Sequence, residues 1–369
     1  LERSSFVSSM SDHRRIDDKL AHIRAALDGG SEVKGGRAGA LTFADLRFVP
    51  SALPEVDLEA VDLSTHFLNK PISAPFMIAP MTGGLAEGGA LNRRMASAAE
   101  VKGIPFCVGS QRVALEDASR SELFEVRSVA PTIPLMANIG AIQLTRGFGI
   151  EHAREAVEMI GADGLYLHLN AMQEAIQEGG DTAWSGVLGK IEALCDAWSR
   201  GGFASPIFAR EVGFGLAADD VRRLIDAGVS GLDCAGAGGT SWSLVEGRVA
   251  KTEEHQSLGE VFASWGLTTP EAILEVRAVS SSIPLVASGG VRSGLDVAKC
   301  VGLGADVAGI ASPVLQAAHQ SDEAVHELLD RVAREVRVAM FGGGAADIDS
   351  LRSHPRLMGV GGAVPRERK

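Results

Sequence analysis

Residues 164–174 read GLYLHLNAMQE. A short apolar run, GLYL, is followed at once by His168, Asn170, Gln173 and Glu174, a polar cluster at the point where the chain leaves a core. A buried strand ending in such a cluster is the unit of a barrel whose strand C-termini carry the chemistry. The same form recurs on both sides: PFMIAPM at 75–81, PFCVGS at 105–110, PLMANIG at 134–140, PIFAREVG at 206–213, GLDCAG at 231–236, PLVASGG at 284–290 and VAGIAS at 307–312. With 164–170 these make eight strands, about 20 to 50 residues apart, separated by helical patterns such as EHAREAVEMIGA (151–162) and ADDVRRLIDAGVS (218–230). Their apolar character is continuous, as in parallel strands covered on both faces. Eight such units, with no GxGxxG after the first, predict an α/β fold of the (β/α)8 TIM barrel type rather than an open dinucleotide-binding sheet. The barrel is expected to span 41–345 as a single domain. A basic helical extension precedes it at 11–40 and a tail follows at 346–369; residues 1–10, with LERSSFVSS ahead of Met10, read as foreign to the fold.

Composition bounds the partners. The 369-residue chain is 46% hydrophobic and 22% charged with 44 glycines, a globular composition rich in tight turns. Its formal net charge of −12 argues against a nucleic-acid partner, because neutralising phosphates needs surplus Lys and Arg. Any anionic ligand must therefore be met by local cations. The cysteines, at 107, 195, 234 and 300, show no CxxC spacing, so free thiols in a reducing compartment are expected. With no apolar run near 18 residues and no signal-type h-region, the expectation is a cytoplasmic protein without a membrane partner.

The strand ends share a character. MTGG (81–84), GSQR (109–112), ANIGA (137–141), REVGFG (210–215), AGAGGTSW (235–242), SGGVRSG (288–294) and GIAS (309–312) are all rich in Gly and small polar groups. Any one of them is an ordinary βα turn. Together they describe a floor of backbone N–H groups and amides suited to a large, planar, polar-edged cofactor with a phosphate. SGGVRSG runs into the helical LDVAKCVGLGA, a glycine loop opening onto a helix N-terminus where an anion is favoured, and GIAS repeats the arrangement.

In that order, APMTGG, VGSQR, ANIGA, HLN followed by QE, EVGFG, AGAGGTSW and SGGVRSGLDVAK resemble the type 2 isopentenyl-diphosphate isomerases, the flavin-dependent class. The resemblance runs from about residue 41 to 344. HLN with QE and GGTSW are its specific elements, whereas SGGVRSG is shared more widely among flavin barrels. It implies FMN and Mg²⁺ as cofactors, NAD(P)H as the reductant that keeps the flavin reduced, and a homo-oligomer, a tetramer or larger. The implied reaction interconverts isopentenyl and dimethylallyl diphosphate in isoprenoid biosynthesis by protonation and deprotonation, with no net redox change. By the same resemblance Met81, Thr82, Gly83, Ser110 and Asn138 line the flavin ring, with Arg210 at its N1 and O2 edge. Thr240, Gly290, Arg292 and Ala311 contact the ribityl chain and phosphate. Gln173 and His168 are the implied catalytic residues, with Asn170 and Gln173 against substrate, and Glu174 the magnesium ligand. Ser110, Gln111 and Arg112 would grip the diphosphate, a guanidinium forking onto its oxygens.

The chain departs from the family pattern in two places. Arg210 stands in FAREVGFG where the family usually has Lys; it remains a cation but with a bulkier fork. In the N-terminal RKxxHI pattern the chain reads DKLAHI, keeping Lys19 and His22 but placing Asp18 where the arginine belongs. Arg15, four residues before Lys19 on the same helical face, is the candidate to substitute in binding the diphosphate.

Two other function classes fit a flavin barrel. A hydroxy-acid oxidase would need a His and Arg pair after the later strands, and His255 sits in a polar stretch without one; an IMP dehydrogenase-like enzyme would want a Cys in the loop after strand six, where Cys234 falls inside the strand. The second of these classes is a non-catalytic flavin-binding barrel, which would have no use for Gln173 and Glu174 together.

Overall fold

The computed structural model describes residues 30–33, 39–81, 84–353 and 356–359. All eight apolar runs form strands: β1 (Phe76–Ile78), β2 (Phe106–Cys107), β3 (Leu135–Gly140), β4 (Gly164–Leu169), β5 (Ile207–Glu211), β6 (Gly231–Asp233), β7 (Leu285–Ser288) and β8 (Val307–Ile310). Each pairs in parallel with the next, and β8 closes onto β1 with Gly309 opposite Met77, completing a (β/α)8 barrel. The turns that feed the strands are set by their glycines. Helix Ile150–Ile160, for example, ends on Gly161, whose left-handed φ of 57° lets the chain turn into β4.

The two-residue alternation of the strands builds the interior in layers. Met77, Cys107, Met136, Tyr166, Phe208, Val286 and Val307 point inward as one buried apolar cluster, while Phe76, Phe106, Leu135 and Leu165 face the helices in the larger outer core. An antiparallel hairpin, Thr65–Phe67 with Lys70–Ile72, contributes Phe67 and Ile72 to the inner cluster. It closes the strand N-terminal end, where Leu68 approaches Gly164 at the start of β4. Two positions further along the strands the inward residues change character, to Asn138, His168, Arg210 and Ser288. The barrel is therefore sealed with apolar side chains at one end and polar at the other.

Outside the barrel, the stretch read as a C-terminal tail carries a short helix, Ile348–Ser353, and a strand, Leu357–Gly359, that pairs antiparallel with Leu46–Phe48. Trp198 is buried and stacked on Phe203, Trp242 borders the cavity described below, and Trp265 is exposed. Among the described residues no helix is long and apolar enough to cross a membrane.

Phe208 holds the inner cluster together, with ring centroids 6.0 Å from both Phe67 and Tyr166 in edge-on contacts. Phe208→Ala should lower the unfolding free energy by about 3–5 kcal/mol, read from urea denaturation. A loss below about 1 kcal/mol would mean the plug is not the stabilising element described here.

Candidate active site

At the C-terminal ends of the strands lies a cavity of about 560 Å³, within the range of small-molecule and cofactor sites. The residues singled out in the sequence converge on it: Met81, Ser110, Arg112, Asn138, His168, Asn170, Gln173, Glu174, Arg210, Thr240, Gly290, Arg292 and Ala311 all line its wall. Gln111 does not, which corrects the expectation that it grips the diphosphate. Its Nε2 donates to Ala156 O at 2.8 Å and its Oε1 accepts from Asn138 N–H at 2.9 Å, so both ends of the amide tie β3 to its neighbouring helix. Arg15, Lys19, His22, Thr82 and Gly83 lie outside the described residues, as does Asp18.

The floor is a charged layer resting on the apolar plug. Arg210 Nη1 meets Asp233 Oδ2 at 2.6 Å, Ser288 Oγ donates to Asp233 Oδ1 at 2.7 Å, and the guanidinium carbon stands 5.8 Å from the centre of the Tyr166 ring below. Burial pushes the Asp233 carboxyl up, and the Arg210 charge opposes that most strongly. Beside this pair, Asn138 Nδ2 donates to Val108 O, which leaves Asn138 Oδ1 to accept from His168 Nδ1 at 2.9 Å. His168 is therefore the Nδ1–H tautomer, with Nε2 a lone pair. Gly140 makes room for Gln143 and for this ring, since a Cβ there would fall 2.0 Å from Gln143 Oε1 and 2.9 Å from His168 Nε2. Burial, with Arg210 and Arg112 nearby, holds the His168 ring neutral by lowering its pKa to about 4.

One side wall is the turn that follows β4, helix Ala171–Ile176. Glu174 accepts from Asn170 Nδ2 at 2.9 Å and from Asp181 N–H at 2.6 Å, while burial holds its carboxyl above the ordinary range. Asn170 Oδ1 is buried with no hydrogen-bond partner. Gln173 Nε2 donates to Glu246 Oε1 at 2.8 Å. Glu246 was not singled out in the sequence; an acid inside the apolar face of WSLVEGRV, four residues after Trp242, was the available signal. Asp181 also escaped notice, and it sits between Arg146, at 2.7 Å, and Arg112, at 3.7 Å. Among the described residues no three His, Cys, Asp or Glu side chains converge on one point.

The opposite wall is built of glycine backbone. Gly289 and Gly290 have φ of 94° and 71°, and a Cβ on Gly289 would fall 2.0 Å from Gly236 O. The loops after β6 and β7 are thus pressed backbone to backbone, as only glycine allows. Arg292 Nη1 clamps them by donating to Gly238 O at 2.8 Å and Gly290 O at 3.0 Å. Ser293 caps helix Gly294–Leu303 through a capping box with Asp296.

A barrel with a glycine cradle at the ends of strands six to eight and a cation in its floor is the architecture of a flavin-binding family. The model of the FMN-dependent dehydrogenase family matches residues 18–130 and 183–357. Solved structures of the same fold include mandelate oxidase with (S)-2-phenylpropionate (TM-score 0.58, 21% identity, 91% of this chain and 96% of that one). Another is an oxidized active mutant of (S)-mandelate dehydrogenase (TM-score 0.61, 19% identity, 92% of this chain and 91% of that one). Sequence similarity is much higher elsewhere. Isopentenyl-diphosphate delta-isomerase of Xanthobacter autotrophicus is 49% identical over 93% of this chain and 96% of its own length. The proteins of that name from Stutzerimonas stutzeri and Nostoc sp. are 45% and 42% identical, covering 93% and 90% of this chain and 97% and 93% of their own lengths. The chain belongs to the isopentenyl-diphosphate delta-isomerase family, a group within the FMN-dependent dehydrogenase barrels.

A histidine whose pKa falls on folding stabilises the protein fully above its unfolded value of 6.5 and progressively less as pH drops from there to about 4. Unfolding free energy should therefore decline across that window. His168→Gln should flatten the decline, as measured by urea denaturation at a series of pH values. An unchanged slope in the variant would show that His168 is not buried neutral.

Proposed function

We propose that this chain interconverts isopentenyl diphosphate and dimethylallyl diphosphate at the barrel mouth, with reduced FMN and Mg²⁺ bound there. The observation that carries the proposal is the pairing of two walls: a glycine and arginine cradle suited to a phosphate, and facing it the Asn170, Gln173, Glu174 and Glu246 cluster. The positive φ and tight backbone contacts of Gly289 and Gly290 fit the close approach of a phosphate and ribityl chain, with Thr240, Arg292 and Ala311 around it. Met81, Ser110 and Asn138 would face the ring, and Arg210 would put its charge at the polar edge. A hydroxy-acid oxidase has less support. His255 Nδ1 donates to Ile176 O, 2.7 Å away, and does not border the cavity, and Cys234, the residue an IMP dehydrogenase-like enzyme would use, is fully buried in the outer core.

When bound, reduced FMN supplies a group able to give and take a proton in a site where few side chains could protonate an alkene. The chain's own residues bind, orient and dry the substrate. Ser110 and Arg112 would take the diphosphate, with Lys19, His22 and Arg15 assigned to the same role from outside the described residues. Glu174 would hold Mg²⁺, a hard ion content with one carboxylate, water and diphosphate oxygens. The unpartnered Asn170 Oδ1 fits a donor such as a water of that ion. The amide of Gln173 is held by Glu246 over the place for the hydrocarbon, so its orientation is fixed before substrate arrives. His168, neutral and hydrogen-bonded through Nδ1, presents an acceptor to the same space. An alkene is a weak base, so an aimed and water-poor site is what the reaction demands. NAD(P)H would act only beforehand, as reductant. A homo-oligomer and a cytoplasmic location complete the reading, the latter supported by four buried free cysteines.

The test is anaerobic incubation of the protein with isopentenyl diphosphate, FMN, Mg²⁺ and a reductant, followed by product analysis. Dimethylallyl diphosphate should form without net consumption of reductant. Glu174→Gln should reduce the rate at least about 100-fold, and Asp18→Arg should lower KM for the substrate. Steady oxidation of a substrate with flavin turnover, and no isomer, would favour the oxidoreductase reading instead.

A further inference from the structure

Residues 30–33 enter the flavin wall from the N-terminal side. Their backbone is laid along the loop after β6: Ser241 N–H donates to Ser31 O at 2.8 Å, Val33 N–H to Gly239 O at 3.0 Å, and Glu32 forms an antiparallel bridge with Thr240. Ser31 is buried and Gly30 lies against the guanidinium of Arg248. Pinned in this way, the strap directs the Glu32 side chain into the cavity. There Glu32 Oε2 meets Arg292 Nη2 at 3.1 Å and Glu32 Oε1 accepts from Ser312 Oγ at 3.2 Å. Arg292 belongs to the loop after β7, and Ser312 opens helix Ser312–Gln320 after β8. A guanidinium and a hydroxyl at the mouth of a glycine cradle are the partners a phosphate monoester takes.

We propose that the Glu32 carboxylate is an internal occupant of the flavin phosphate seat, and that FMN binds by displacing it; this rests on the flavin reading above. A carboxylate carries one negative charge and two oxygens, whereas a phosphate monoester carries nearly two charges and three oxygens. Both cannot share Arg292 without strong like-charge repulsion. The phosphate therefore wins the guanidinium, and Glu32 rotates away while the strap stays paired to 239–241. Riboflavin, which has no phosphate, cannot evict the carboxylate and leaves the ion pair with Arg292 in place. Glu32 thus weakens FMN binding and leaves riboflavin binding untouched, which narrows the preference of the seat for the phosphorylated flavin.

The experiment titrates the full-length protein, stripped of flavin, with FMN and with riboflavin, and follows quenching of flavin fluorescence for wild type, Glu32→Gln and Glu32→Ala. Both variants should bind FMN about tenfold tighter, equivalent to about 1.4 kcal/mol, with riboflavin affinity unchanged. FMN affinity that is unchanged or weaker in both variants, or riboflavin affinity that rises as much as that for FMN, overturns the proposal while the flavin reading stands. A wild-type chain that takes up neither flavin removes the flavin reading, and this proposal with it.

Discussion

The buried pair of Arg210 and Asp233 governs the mouth of this barrel. Two charges so far from water are tolerable only together: removing one partner from a pair of this kind typically costs about 3–5 kcal/mol. Asp233 is further held by Ser288 Oγ at 2.7 Å and by Ala235 N–H at 3.2 Å. Arg210 is held in place over Tyr166 on β4. The network thus ties β4, β5, β6 and β7, and it joins the apolar plug to the polar layer above. Across the barrel the inward positions are small. A Cβ on Gly309 of β8 would come within 2.7 Å of Ser288 Cβ and 3.3 Å of Ala79 Cβ. The cavity therefore has one polar side that carries the Arg210–Asp233 ion pair and one side kept open by the lack of side chains, an asymmetry that suits a planar ring lying across the mouth.

Around that floor the two walls divide the work. Helix Ala171–Ile176 carries Gln173 and Glu174, and its position is fixed from several directions. Gln173 is tied to Glu246, and His255 Nδ1 lies 2.7 Å from Ile176 O. Glu178, just beyond the helix, accepts from the backbone N–H groups of Lys251 and Thr252 at 2.7 and 2.9 Å. The segment after β6 is thus the backing for the segment after β4. The glycine loops after β6 and β7 are locked in turn by their own contact and by Arg292. Preorganisation of this kind is the form in which a protein contributes most when the hard chemistry belongs to a cofactor.

The barrel was legible because each strand is a continuous apolar run, bounded by Pro or Gly, and because helical periodicity fills most of the intervals between them. Most of the cavity wall was legible for a related reason: in a closed parallel barrel the strand ends must point to one face, so the polar residues at those ends had to meet. Gln111 shows where that logic stops. It follows Ser110 in GSQR, but it caps the helix that begins at Arg112, and its side chain turns outward to the Ala156 carbonyl. Asp233, Glu246, Asp181 and Glu32 were missed because their roles depend on partners remote in sequence. Arg210 and Asp233 are 23 residues apart, Gln173 and Glu246 73, and Glu32 and Ser312 280. Asp233 left a local trace all the same, as a carboxylate inside the apolar run GLDC.

If Arg210 presents a fixed cation to the polar edge of the flavin, that charge must favour the reduced, more anionic form of the ring. The midpoint potential of bound FMN, compared between wild type and Arg210→Gln at pH 7, tests this directly. The variant should be more negative by roughly 30–60 mV, where 30 mV corresponds to about 1.4 kcal/mol for a two-electron couple. A potential that stays the same or moves upward would mean the ring does not lie over the Arg210–Asp233 pair, and the arrangement of the mouth described here would be wrong.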